Sequence, residues 1–516
     1  MKTYFDYIDE ITANELYDGL LGYGLFSDMI PPFLCSDSFL KYCKKNKKVF
    51  EQKCDPAQYI EYSSMRNIGI PRIIGIPSPI HYHQLCQKLS ENWDKIKIHF
   101  LNQTYMDKYK RSRIHIKKMK RTKAIFKMNY NNWRNDENPE IDILKDNRFI
   151  VHADISNCFG SIYTHAISWA LMGKDVAKSN TKNTHLWYNE LDYVTRNCKF
   201  GETNGILIGP HSSNVLSEII LTAIDNNLRK KWEYIRNIDD YTCFVKSKEQ
   251  AMQFLIDLND ELRKYNLTLN HRKTTIKELP LALTEGWIHR FDNLLMLYRR
   301  NGFNYKSIKS YLDNAVELMV ANDNNAAILN YAIKCISDNV LSLNAKKYYV
   351  KYVLHLCLLY PYLLRIIDEY VFEKFKIDKE TFSEFLKNVL KNSEKNHNFD
   401  GICYSIYFAI KYNIEIKIED YVSFLIDKED CIGCLLAYLY CKKNGCKTEE
   451  NKLYQYAIKL NSRDEDFYKN WVFVYEVLSR KDLRENTWKG LKKSSVSFIS
   501  NRFKLFIKKS HTKSVI

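Results

Sequence analysis

The sequence has no apolar run clean enough to span a membrane. Its most hydrophobic stretch, "YYVKYVLHLCLLYPYLLRII", is interrupted by Lys351, His355, Pro361 and Arg365, and so reads as a buried helix with no membrane partner. No secretory signal opens the chain, because "MKTYFDYIDE" has neither a basic n-region nor an apolar h-region. The 14 cysteines show no disulfide framework, and a reducing, cytoplasmic setting is expected. A metal-like spacing, "CIGCLLAYLYCKKNGC", carries Cys431, Cys434, Cys441 and Cys446. Zinc accepts Cys-x-x-Cys, but Cys434 and Cys441 bracket "LLAYLY", a helix interior, so buried free thiols are the expectation. No strict period is visible either, which argues against a tightly defined repeat family.

What is present is a chain of 516 residues, 45% hydrophobic and 14% aromatic, long enough for two or three well-buried domains. The net charge of +17 suits a polyanionic partner, and equally a Lys-rich soluble protein. Between Lys108 and Arg134, "KYKRSRIHIKKMKRTKAIFKMNYNNWR" has eleven Lys or Arg residues and no acid. Tyr109, Phe126, Tyr130 and Trp133 are interleaved, a combination that lets lysines track phosphates while aromatics stack on the bases of a single strand. The alternative is a solvated helix face with inward aromatics. The tail after Glu485 carries Lys489, Lys492, Lys493, Arg502, Lys504, Lys508, Lys509 and Lys513 without an acid. It reads as a nucleic-acid contact or as a frayed basic end.

Three regions follow from the patterning: 1–145, an N-terminal arm with turn-rich pieces; 146–288, alternating strand-like and helix-like pieces; and 289–516, helical. In the last, "SYLDNAVELMV", "NAAILNYAIKCISDNVL", "TFSEFLKNVLKN", "YSIYFAIKY" and "FYKNWVFVYEVL" show helical periodicity, consistent with an irregular stack of helix pairs.

The chemistry concentrates in the middle region. "RFIVHADISNCFGSIYTHAISWALMGK" holds a strand-like run that ends on Asp154, which either projects into a cleft or caps the next helix. "GILIGPHSSNVLSEIILTAIDNNLRKKW" is a glycine turn feeding an amphipathic helix. "EYIRNIDDYTCFVK" places Asp239 and Asp240 at the tip of a β-hairpin. Alone, such a pair is most often a solvated turn. A strand-like "LTLNHRKTTIKELP" then carries Lys273. Nucleotidyl transfer needs such a set, because two Mg²⁺ ions about 4 Å apart require carboxylates from separate strands. Asp154 and Asp239 are the expected principal ligands, with Asp240 in support and the carbonyl of Ile155 as a further oxygen.

These segments resemble the palm of reverse transcriptases: "ADISNCF" motif A, "NGILIGPHSSNVLSEI" motif B, "YIRNIDDY" motif C and "LNHRKT" motif D. "PRIIGIPSP" is similar to the fingers element whose arginine meets the incoming triphosphate, here Arg72. Within the family, "DISNCFGSIYTHAISWALMGKDVAK" is closer to the abortive-infection polymerases of bacterial antiphage defence, the AbiK-like group. The resemblance implies an α+β fold with reverse-transcriptase-like fingers (1–145, with the arm) and palm (146–288), followed by an all-α, HEAT-like C-terminal domain (289–516).

It further implies metal-binding Asp154, Asp239 and Asp240, and Phe159 as a gate against the ribose 2′-OH. Gly209 falls in the motif B turn, and Lys273 is placed to protonate the departing pyrophosphate. Asn237 stands where the family usually has tyrosine, which departs from ordinary primer–template use. For this group the resemblance implies untemplated DNA synthesis from dNTPs, primed on a tyrosine so that the single-stranded product stays attached, in a trimeric or hexameric homo-oligomer that blocks phage growth. Tyr4 and Tyr7, on an N-terminal arm read as mobile, are the candidate primers. An RNA-templated reverse transcriptase with an RNA partner, and a degenerate palm serving as a nucleic-acid-binding or assembly protein, are the alternatives.

Overall fold

The computed structural model describes residues 3–46, 49–105, 107–114, 116–119, 122–126, 139–281, 286–298 and 302–508. All six strands among them lie between Ile60 and Glu278, and from Gly286 onward the regular elements are helices. This is the α+β class expected. Strands β1 (Ile60–Met65) and β2 (Pro71–Ile76) form an antiparallel hairpin. Strands β3 (Phe149–Asp154), β4 (Tyr234–Asn237), β5 (Asp240–Val245) and β6 (Thr275–Glu278) form an antiparallel sheet in the order β4-β5-β3-β6.

Alternation within "FIVHAD" explains why β3 is central. Val151 and Ala153 enter the main core with Tyr241, Cys243 and Val245 of β5. Ile150 joins Ile235, Phe244 and Ile143 in a small cluster of its own. The helix Lys248–Lys264 packs on β3 and β5, and the helix His211–Leu228 packs against it. The latter was expected to be amphipathic, yet it is buried almost all round, Glu218 and Asp225 included. Those two carboxylates do not face water because a buried cation meets them, as described below.

In the helical region Lys379–Lys395 packs on Phe399–Tyr412, that helix on Cys431–Asn444, and that in turn on Lys447–Leu460, a HEAT-like succession. Cys431, Cys434 and Cys441 are buried on one helix, with Cys446 just past its end. The run read as one helix breaks after Leu359. Pro361 starts a 3₁₀ turn, and short helical and π-helical turns follow to Phe372, since proline lacks the N–H and crowds the preceding turn. "FYKNWVFVYEVL" likewise splits at Asn470 into Asp464–Lys469 and Trp471–Val477. No helix among the described residues is long and apolar enough to cross a membrane.

The basic tail is not frayed up to Lys508. Phe498 and Ile499 are buried, Leu34 bridges Ile499, Cys35 N–H donates to Phe498 O at 2.7 Å and Ser500 N–H to Phe33 O at 2.8 Å. Trp471, Phe498, Phe39 and Phe26 share one aromatic cluster, with the Trp471 and Phe498 centroids 4.8 Å apart. Lys509 and Lys513 lie outside the described residues.

Asp430 offers a clean test of the helical stack. It caps Cys431–Asn444 by accepting from Gly433 N–H, but burial pushes its carboxyl up to about 6. A raised acid favours its proton in the folded state, so stability is full below the unfolded value near 4 and declines as pH rises through about 6. Asp430→Asn keeps a good cap and removes the buried charge. Its melting temperature should exceed the parent's by a few degrees at pH 8 and match it at pH 4.5. An equal shift at both pH values would contradict this account.

Candidate active site

The carboxylates are brought together by strand register. Asp154, the last residue of β3, pairs directly with Asp240, the first of β5, and Ile155 N–H donates to Asp239 O at 3.1 Å. The intervening turn puts Ile238 at φ +57°, a left-handed conformation that costs a β-branched residue about 1–2 kcal/mol. Arg236 compensates from below. It is fully buried, and its Nη1 donates to Ile238 O at 2.8 Å. It also pairs with Glu218 at 3.1 Å and Asp225 at 2.6 Å. Tyr234 Oη donates to Asp225 at 2.7 Å, completing a polar cluster under the turn.

A cavity of about 720 Å³ opens over this tip. Arg72, Asp154, Ile155, Phe159, Gly209, Asp239, Asp240 and Lys273 all line it. Asp240, at the start of the inner strand β5, is exposed as a residue, yet its carboxyl is pushed up to about 7 by partial burial, a hydrogen bond with Asp154 and the charge of Asp239. Asp239 also stands above the usual carboxylate range, through burial and the nearby Asp154, against the pull of Lys273 and Arg72. Lys273 is not in the strand expected for it. It sits in the turn between a bridge at Leu269 and β6, and its Nζ lies 2.8 Å from Asp154 Oδ2.

Among the described residues no three His, Cys, Asp or Glu side chains converge as a ready metal cage. Asp154 is shared instead between Lys273 and the Asn270 amide, which donates at 3.0 Å. The donor set nonetheless fits a hard divalent cation. It is all oxygen, it comes from two adjacent strands, and its mutual repulsion raises the Asp240 carboxyl as described.

Sequence reasoning missed several cleft residues. Arg66 lies with Arg72 on the cavity wall, its basicity lowered by burial and by Arg72. Pairing "SSMRNIGIPR" as a hairpin around Gly69 would have put both guanidiniums at one tip. Asn270 lies inside "LNHRKT", where nothing but geometry distinguishes it. The helix His211–Leu228 turns its first residues, His211, Ser213 and Asn214, to the cavity, and helix N-termini favour anions.

Two expectations are corrected. Tyr4 is not on a free arm: it is 4% exposed and its hydroxyl donates to Glu218 at 2.7 Å. Tyr7, on the same short helix, has its ring beside the ammoniums of Lys110 and Lys117. The basic segment is not an open phosphate track over its first part. Lys110, Arg111 and Ser112 are buried, and the chain runs beside β4, with Arg236 N–H donating to Arg111 O at 2.9 Å and Arg113 N–H to Arg236 O at 2.7 Å. Tyr109 points inward to the carbonyl of Tyr234. Phe126 reaches the cleft and packs edge-on against His211 at 5.4 Å. Tyr130 and Trp133 lie outside the described residues.

Gly209 has φ +126°, and a Cβ there would lie 2.7 Å from Ile74 Cγ2 and 3.3 Å from Gly75 O. The same strand holds Arg72 and is tied to the turn by Gly75 N–H donating to Ile208 O at 2.8 Å. Gly209→Ala should displace β2 and lower kcat/KM for nucleotide by about tenfold to a hundredfold with the chain still folded. Steady-state kinetics beside a melting curve checks this, and unchanged kinetics would refute it.

A sheet that sets carboxylates from two adjacent strands beside a basic hairpin and a helix N-terminus is the arrangement a palm-type nucleotidyltransferase requires. Comparison with known families is more specific: residues 84–305 match the family described as reverse transcriptase (RNA-dependent DNA polymerase), and the chain carries a reverse-transcriptase domain. No curated protein matches the sequence. Solved structures similar to it include apo telomerase from Candida tropicalis truncated from its C-terminal domain (17% identity, TM-score 0.30, covering 47% of this chain and 55% of that one). They also include apo telomerase from the same yeast (12%, 0.32, 77% and 72%). A third is telomerase from Candida albicans in complex with a fragment of telomeric RNA (10%, 0.27, 71% and 69%). The chain thus spans about half of the first of these, and TM-scores this low carry no argument about function.

Proposed function

We propose that this reverse-transcriptase-type polymerase makes DNA from dNTPs without a template, primed on a tyrosine, as an AbiK-like abortive-infection enzyme. The polymerase chemistry rests on one observation above all: Asp154, Asp239 and Asp240 share a cleft with Arg72, Phe159 and Gly209. The finer reading rests on the motif resemblance and on Asn237. In this reading 1–145 form arm and fingers, 146–288 the palm and 289–516 a helical domain, within a homo-oligomer.

Asp154, Asp239 and Asp240, with the Ile155 carbonyl, would hold Mg²⁺, which when bound activates the attacking hydroxyl and neutralises phosphate charge. Arg72 and Arg66 orient the triphosphate, Phe159 presses on the sugar, and the helix N-terminus at His211 faces the phosphates. Lys273 leaves Asp154 for the departing pyrophosphate, to which it donates a proton. No tyrosine is among the described residues that line the cleft. Of Tyr4 and Tyr7 the buried Tyr4 is the poorer candidate.

Incubating the protein with Mg²⁺ and labelled dNTPs alone, then running denaturing gels with and without protease, tests the proposal. Label that stays with the polypeptide and leaves as peptide-linked DNA supports it. Incorporation only after adding an RNA template and primer would replace it with the templated reading, which the matched family's description favours.

A further inference from the structure

Away from the cleft, the helical region carries a second concentration of aromatic and basic groups. On the helix Leu343–Leu359, Tyr348, Tyr352 and His355 follow one another at four- and three-residue spacing with Asn344, and so share one face. Lys347 and Lys351 form the adjacent row. Tyr349, Val353 and Leu356 occupy the opposite, buried side. The rings of Tyr348 and Tyr352 are stacked, 5.8 Å apart at 17°. Tyr305, half exposed at the start of the helix Tyr305–Ala321, stands edge-on to Tyr348 at 5.2 Å and 73°. Together these residues line an open hollow of about 670 Å³.

The charge around it is of one sign along the helix, which carries Lys346, Lys347 and Lys351 and no acid. Asp313 of the neighbouring helix is a carboxylate that bears on both Tyr348 and Tyr352, so a phosphate track has to run along the lysine row. None of these groups belongs to the catalytic cleft. Tyr348 and Tyr352 rest one side on the core and keep the other at the surface, and Tyr305 beside them is half exposed. Aromatic faces beside a lysine row are what an unpaired base and its phosphate require, and paired bases in a duplex have no free face to offer.

We propose that this face binds a single-stranded nucleic acid, with bases stacked on Tyr348 and Tyr352 and their phosphates on Lys347 and Lys351. The binding is independent of the chemistry in the cleft. That the strand is the enzyme's own product rests on the polymerase reading.

The test uses full-length protein carrying Asp239→Asn, so that synthesis cannot alter the probe, and fluorescence anisotropy with labelled oligo(dT). Tyr348→Ala with Tyr352→Ala should weaken binding at least tenfold, since each stack is a large part of affinity. Lys347→Gln with Lys351→Gln, at exposed positions that leave folding alone, should lower the slope of log affinity against log salt by about 1.4, from two phosphates. Iodo-deoxyuridine probes should photocrosslink to Tyr348 or Tyr352, and duplex DNA should not compete. Unchanged affinity and slope in both variants, with crosslinks confined to the palm, would overturn the site. Incorporation assays on protein with Asp239 intact score the polymerase reading separately, so either can fail without the other.

Discussion

Asp239→Asn is expected to reduce nucleotide incorporation by about a thousandfold or more, while the metal-free protein becomes as stable as the parent or more so at pH 8. The two effects have one cause. Burial and the proximity of Asp154 hold the Asp239 carboxyl above its usual range, so the folded chain prefers that group protonated. The stability it contributes is full below the unfolded carboxylate range and declines as pH rises through the raised value. Asparagine keeps the shape and drops the charge. The repulsion vanishes, and with it a ligand proposed for the metal. Thermal unfolding at pH 5 and pH 8, each with EDTA and with Mg²⁺, separates the contributions. Mg²⁺ should raise the parent's melting temperature at pH 8 and leave the variant's almost unmoved. Retained incorporation would remove Asp239 from the metal site. A large drop in metal-free stability would make it a structural residue instead.

Arg236→Met should be the most damaging single change outside the cleft. Arg236, Glu218 and Asp225 form a group with exposures of 0%, 0% and 5%, and removing one partner leaves two buried carboxylates without their cation, at a cost of about 3–5 kcal/mol. Insoluble or partly unfolded protein is the expected result. Adding Glu218→Gln and Asp225→Asn removes the stranded charge and should restore a cooperative melt. Incorporation should stay low in that triple variant, because nothing then grips the Ile238 carbonyl and the positive-φ turn that presents Asp239 relaxes. If the triple variant polymerises normally, Arg236 is only a core ion pair. If the single variant is soluble and stable, the cluster is not as dry as its burial implies.

The cleft was legible in the sequence to the extent that its chemistry is local. Asp154 at the end of "FIVHAD", the adjacent aspartates in "YIRNIDDY" and the glycine turn at Gly209 each carry their signal within a few neighbours. The support beneath them is not local. Tyr4 reaches Glu218 across 214 positions, and nothing in "TYFDYI" says that its tyrosine is buried under the palm. The same limit misled the reading of the basic segment. Eleven cations without an acid look solvated in a one-dimensional scan, but Arg111 stacks over Tyr234 at 4.6 Å, and its backbone extends the edge of β4. Helical periodicity marked the C-terminal region well and its interruptions poorly: the break at Pro361 comes from the proline ring itself, which periodicity does not count, and the break at Asn470 has no such local mark.

The closure of residues around Ser497 onto those around Ser38, 459 positions apart along the chain, has a consequence for how the protein is born. A ribosome moving at about 5–20 residues per second releases the palm strands well before it has made Trp471, Phe498 and Phe503, rings against which Phe26, Phe39 and Phe33 pack. The hairpin that carries Arg72 also depends on a partner made after the palm: Tyr62 Oη donates to Asp400, and Met65 N–H donates to Asp400 at 3.0 Å. A nascent or truncated chain therefore holds all three aspartates without the frame that sets Arg72 over them. Its longest-range contacts form last, and they are the slow ones. Chain order thus sets an order of assembly, with the palm strands made before the helical partners that hold the Arg72 hairpin in place.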